Sequence, residues 1–168
     1  MYKFDQDKID KISDLLIKQG KTIAIAESCT SGLIQNVFSQ AKQATLFYQG
    51  GMTLYNLGQK AKHLNVNPIT SETCNSVSKE VAEKMALEVA VAFNAELGVA
   101  ITGYAQPMPK LSINSCYAYI ALTEGTKIMF SKKIKGDSSK TLLENQMIFM
   151  EKVIEEILKI RLKNIMSN

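Results

Sequence analysis

The sequence predicts a single three-layer α/β/α domain with a mixed β-sheet, spanning residues 1–168. Three observations carry this reading. Short apolar runs at 22–26 and 97–101 are separated by segments with helical apolar spacing, the alternation of a sheet covered by helices. Two later apolar runs, 116–122 and 128–134, are joined by Thr123-Glu124-Gly125-Thr126, which is hairpin chemistry and adds antiparallel strands. A chain of 168 residues also buries a core without staples.

Taken in order, residues 5–19 read as an amphipathic helix with Ile9, Ile12, Leu15 and Leu16 on one face, closed by Gly20. A buried strand at 22–26 and a helix at 32–40 follow. Residues 46–55 look extended, with Gly50-Gly51 marking a bulge or a close backbone approach. A short helix over 56–64 is expected to stop before Pro68. Ser78 is placed to cap a long helix whose face carries Val81, Met85, Val89, Ala92 and Phe93. The run 97–101 suits a strand buried on both faces. Asp137-Ser138-Ser139 cap a final helix that packs Leu142, Leu143, Met147, Met150, Val153, Ile154, Ile157 and Leu158.

Composition excludes several function classes. Hydrophobic residues make up 46% and charged residues 21% of the chain, as in globular proteins, and no apolar run has membrane length. The start Met1-Tyr2-Lys3-Phe4-Asp5 is not a signal peptide, and Cys29, Cys74 and Cys116 form neither a disulfide framework nor a zinc spacing. A reducing cytoplasm is the expected location. The net charge is only +4, and Arg161 is the single arginine, so nucleic acid is not an expected partner. Lys132, Lys133 and Lys135 read as a solvated strand edge. His63 is the one histidine, which argues against a histidine triad and excludes a histidine-rich metal site.

The most informative stretch is Thr22-Ile23-Ala24-Ile25-Ala26-Glu27-Ser28-Cys29-Thr30-Ser31-Gly32-Leu33: a strand, a hydroxyl-rich turn and a helix start. Ligand crevices of open α/β sheets lie beyond the carboxyl ends of the strands. Such a turn offers hydroxyls and helix N-terminal N–H groups to an anion or a polarised carbonyl; the same residues also suit an ordinary N-cap.

The run Ala26-Glu27-Ser28-Cys29-Thr30-Ser31-Gly32 closely resembles the signature turn of the C-terminal domain family of the competence/damage-inducible protein CinA. That family includes stand-alone nicotinamide-nucleotide amidases. The resemblance extends to 50–60, to Ala100-Ile101-Thr102-Gly103 and to Tyr119-Ile120-Ala121-Leu122. It implies the same three-layer fold, a nucleotide-like small-molecule ligand, no cofactor and a homodimer.

Amide hydrolysis without histidine or metal needs an activated hydroxyl and a base, and a lysine with a lowered pKa fills the second role. Many lysines are present, and the resemblance selects among them. The family segment G-S-S-x-x-F-x-x-G-x-x-x-Y-x-x-x-x-K aligns its tyrosine with Tyr55, its lysine with Lys60 and its second serine with Thr45. The resemblance therefore implies Thr45 as nucleophile, Lys60 as its base and Tyr55 as a hydroxyl partner. Ser28, Thr102 and Gly103 are implied to bind substrate. Taken without the family, Lys60 reads as a solvated helix lysine and Thr102 as a hydroxyl bonded to its own loop.

Three departures from the family stand out. Threonine at 45 adds a methyl that crowds the approach to a carbonyl. The glycine-rich loop after Thr102-Gly103 becomes Tyr104-Ala105-Gln106-Pro107-Met108-Pro109, losing its close-approach backbone. The family's Gly-Asp-Arg becomes Gly136-Asp137-Ser138, so Ser138 and Lys140 are left to hold an anion without a guanidinium fork. A non-catalytic member binding a small ligand or a protein partner is the competing expectation. A DNA-associated factor is a third, resting on the family name and a slight charge excess.

Overall fold

The structure, a computed structural model, describes residues 3–166, with side chains as far as 163. Its helices are α1 (Gln6–Lys18), α2 (Leu33–Ser39), α3 (Leu57–Leu64), α4 (Pro68–Glu72), α5 (Lys79–Ala92) and α6 (Leu142–Met166). Its strands are β1 (Ile23–Glu27), β2 (Tyr48–Thr53), β3 (Leu97–Tyr104), β4 (Tyr117–Glu124) and β5 (Lys127–Lys135). They form one mixed sheet in the order β2-β1-β3-β4-β5. Strands β2 and β3 run parallel to β1, while β4 and β5 are antiparallel additions. The carboxyl ends of β1, β2 and β3 therefore lie together.

Strand β1 is buried along its whole length, and its alternation sorts large residues from small. Ile23 and Ile25 face a cluster built from Ile9, Ile12 and Leu16 of α1, Phe38 of α2 and Ile154 and Ile157 of α6. Ala24 and Ala26 face the other side, where with Ala100 and Ala121 they lie under Val81, Met85 and Val89 of α5. The small residues bring α5 close to the sheet. At Gly98 the approach is closest: a Cβ there would lie 1.8 Å from Ala86 O. Both faces of the sheet are thus covered, the three-layer arrangement the sequence predicts.

Several boundaries differ from the sequence reading for local reasons. Residues 44–46 form a 3-10 turn, so the extended segment begins only at Tyr48. Pro68 opens α4 instead of merely ending a helix, because Asn67 Oδ1 accepts from the N–H groups of Ile69 and Thr70. Strand β3 runs past 101 to Tyr104, held by continuous pairing from Thr102↔Tyr119 to Tyr104↔Tyr117. Gly50-Gly51 is a close approach: a Cβ on Gly51 would sit 2.2 Å from Ile25 O. Leu142 and Leu143, expected on the packed face of the last helix, are exposed where α6 starts beyond the sheet. Among the described residues no helix is long and apolar enough to cross a membrane.

Candidate functional site

The turn that follows β1 is fixed by the last residue of that strand. Glu27 is fully buried, and its carboxylate accepts from Gly32 N (3.1 Å), Ile34 N (3.2 Å) and Gln35 N (2.7 Å). A carboxylate from the preceding strand thereby satisfies the free N–H groups that open α2. The turn's N–H groups, expected to be open to an outside anion, are instead largely taken from within. Gln146 of α6 adds a second tie, donating from Nε2 to Cys29 O at 2.9 Å.

Ser28 is held at the mouth of this turn, and Lys60 comes to it from α3. That helix is capped by Asn56, whose Oδ1 accepts from Gln59 N at 3.0 Å. One turn in, Lys60 points inward and is only 3% exposed. Its Nζ donates to Ser28 Oγ at 3.1 Å. Burial holds the Lys60 pKa below the usual lysine value. The same burial pushes the neighbouring Cys29 thiol up to about 12, which keeps it protonated and poorly nucleophilic.

Ser28 and Lys60 open onto a cavity of about 220 Å³, bordered also by Tyr55, Asn75, Gly103 and Leu142. Asn75 Nδ2 donates to Tyr104 OH at 3.0 Å, fixing one wall. Asn75 and Ser76 both hold positive φ, 49° and 57°, which sets this wall in a sharp turn.

The remaining sequence-predicted residues fall in different places. Gly103 borders the cavity through its backbone. Thr102 shares the end of the sheet with Ser28, as neighbouring parallel strands require. Its hydroxyl is nevertheless buried and committed to Ser76 O at 2.7 Å, so it braces the wall and does not line the cavity. Tyr55 stands at the rim, 72% exposed, and lines the cavity as a surface ring.

Thr45 is separated from Lys60 within the chain. It lies in the 3-10 turn before β2, and the register Ile23↔Tyr48 through Glu27↔Thr53 puts that turn at the start of β1. Ser28 follows the end of β1, so a whole strand lies between the two hydroxyls, roughly 15 Å or more. The Lys60 amine meets Ser28 in place of Thr45. Ser138 is also committed elsewhere: its Oγ accepts from Cys116 N and donates to Asn114 O, both at 3.3 Å, closing the 114–116 loop. Lys140 is exposed outside the cavity lining. Among the described residues no cluster of three histidine, cysteine or acidic side chains is arranged to hold a metal.

Glu27, Asn75 and Gln146 escaped the sequence reading. Glu27 carried a signal, an acidic residue directly before a hydroxyl-rich turn and a helix start; Asn75 and Gln146 carried none.

These features define an α/β protein with a buried serine–lysine pair at the carboxyl end of a parallel strand. The comparisons give the family. The CinA C-terminal domain profile matches residues 5–160, and the chain belongs to that family. A CinA-like protein of Amoebophilus asiaticus is 37% identical over 108 residues, 64% of this chain and 26% of that protein. A CinA-like protein of Synechocystis sp. is 36% identical over 104 residues, 61% of this chain and 25% of that one. The chain thus spans about a quarter of the length of these relatives. Two solved structures share the fold. A CinA superfamily protein from Klebsiella pneumoniae superposes with a TM-score of 0.88 at 17% identity, covering 96% of this chain and 99% of that one. A competence or damage-inducible protein from Enterobacter asburiae gives 0.87 at 20% identity, covering 93% and 97%.

Proposed function

We propose that the chain hydrolyses a carboxamide, the reaction class of the nicotinamide-nucleotide amidases its sequence resembles, with Ser28 as nucleophile and Lys60 as its base. The supporting observation is the buried 3.1 Å contact between Lys60 Nζ and Ser28 Oγ at the wall of a cavity.

Burial favours the neutral amine, whose lone pair accepts the Ser28 proton as Oγ attacks the amide carbon. The carbonyl oxygen becomes an oxyanion. Among the described residues no backbone carbonyl takes the N–H of Cys29, which follows the nucleophile directly and is the donor at hand. Collapse returns the proton from the Lys60 ammonium to the leaving nitrogen, releasing ammonia from a primary carboxamide. Water, deprotonated by the same amine, then attacks the acyl-serine, freeing the carboxylic acid and restoring Ser28.

The test combines ammonia release from nicotinamide mononucleotide and simpler aryl carboxamides with labelling by a fluorophosphonate. The expected result is a single adduct on Ser28 that Lys60→Met abolishes. A folded protein that neither releases ammonia nor labels at Ser28 would make the crevice a binding site.

A further inference from the structure

The cavity beside Ser28 is electrically plain. Its mouth is formed by the neutral amides Asn56, Asn75 and Gln106 and by the Tyr55 and Tyr104 rings. Among the described residues that line it, Lys60 is the one basic side chain, and its amine already faces Ser28 Oγ. No second cation lines the wall for an anionic substituent.

Two helix ends near this space, α2 just after Ser28 and Cys29 and α6 at Leu142, are closed to an outside anion by carboxylates of the chain itself. At α3, whose Asn56 and Leu57 also line the cavity, the Asn56 side chain takes the N–H of Gln59. At α2, Glu27 accepts from three backbone N–H groups. At α6, Thr141 N donates to Glu144 Oε2 at 2.8 Å, while Glu144 N donates to Thr141 Oγ1 at 3.3 Å. This reciprocal pair is a capping box. Just before it, the Asp137 carboxylate accepts from Ser139 N and from the Ser139 hydroxyl. A phosphate brought to either turn meets a carboxylate where an open helix end would have offered donors.

The first α6 residue at the cavity is Leu142, which offers an apolar surface where an anion would need a donor. Lys110 and Lys140, each two residues along the chain from a lining residue, are outside the lining, and both are exposed. Solvated point charges of this kind are screened at physiological salt and add little. The volume of about 220 Å³ also falls below the roughly 300–1,000 Å³ of drug-sized ligand pockets.

What the site does offer is a neutral donor and acceptor side by side. With Asn75 Nδ2 spent on Tyr104 OH, Asn75 Oδ1 remains an acceptor and the Tyr104 hydroxyl proton a donor. That pair suits an uncharged polar group such as a sugar hydroxyl.

We propose that this site selects a compact, uncharged carboxamide and discriminates against phosphate-bearing forms of the same molecule. The proposal rests on the carboxamide reading of the cavity, and its test is kept independent of whether Ser28 reacts. In a Ser28→Ala chain, which holds ligand unturned, benzamide riboside and its 5′-phosphate are titrated calorimetrically at 0.15 M salt. The two probes differ only in the phosphate. The expected result is tighter binding of the phosphate-free riboside, by about tenfold or more. Equal or tighter binding of the phosphate overturns the proposal, and so does a failure of both to bind. Labelling of Ser28 in the unaltered chain is read separately, so a lost charge preference and a lost nucleophile give different results.

Discussion

Lys60 lies one helical turn into α3 with its amine 3.1 Å from Ser28 Oγ, although the two residues are 32 apart in the chain. Burial lowers the Lys60 pKa, and desolvation is the leading cause. The sign of the linkage follows. Between the lowered folded value and the ordinary value of 10.5, the unfolded chain binds a proton that the folded chain does not, so stability rises with pH through that window. Below the folded value the buried ammonium is a standing cost. Lys60→Met should therefore raise the thermal midpoint most at neutral and acidic pH, with the gain shrinking as pH approaches 10.5. Thermal unfolding of both proteins across pH checks it.

The same lowered value makes a kinetic prediction. Reaction of Ser28 with a fluorophosphonate should speed up with rising pH and level off below the ordinary lysine range, because the neutral amine is the working base. A Lys60→Met chain should show no such limb. A limb that persisted in the variant would assign the base to another group.

Thr45 separates the aligned reading from the geometric one. It sits at the amino end of β2, while Ser28 sits past the carboxyl end of β1. Thr45→Ala should leave Ser28 labelling within about twofold, whereas a contribution to the chemistry would cost orders of magnitude. Labelling rates at a single probe concentration are enough to tell.

The fold and the site were legible to different degrees. Strands and helices were written in the apolar periodicity, and even the split of β1 into isoleucine and alanine faces follows from side-chain alternation. The crevice was legible as a place, because Ser28 and Thr102 stand at the carboxyl ends of neighbouring parallel strands. Which hydroxyl Lys60 meets was not, since α3 and β1 carry no short-range pattern that links them. Thr102 shows the same limit: its position predicts a ligand group, yet its Oγ1 turns to Ser76 O. Sequence position fixes the end of the sheet on which a residue stands, and packing decides where its side chain points.

Glu27 should be a positioning residue for this turn. Its carboxylate accepts from three backbone N–H groups, one buried and two partly buried, and Glu27→Ala would leave them without that partner. The expected loss is about 2–4 kcal/mol by chemical denaturation. Glu27→Gln keeps the shape and one acceptor, so it should fold more stably than the alanine variant. Its Ser28 should still label more slowly than the unaltered chain, with the pH limb of Lys60 unmoved.

The far end of the sheet offers a test of how buried charge is balanced. Arg161 is fully buried near the end of α6 and donates from Nη2 to Glu124 at 2.7 Å and from Nη1 to Gln19 at 3.3 Å. Its Nε has no partner. Lys21 also pairs with Glu124, so one carboxylate serves two cations. Removing Arg161 leaves Glu124 with a cation at hand and takes away an unpaired buried N–H. Arg161→Met keeps much of the apolar stem and should cost no more than about 1–2 kcal/mol, because an apolar residue of similar shape replaces a desolvated ion well. Removing Glu124 instead strands two positive groups, one of them fully buried, and Glu124→Gln should cost about 3–5 kcal/mol. Urea unfolding of the two variants reads the order. A larger loss at Arg161 than at Glu124 would show that the guanidinium's packing, and not the shared carboxylate, holds this end of the domain together.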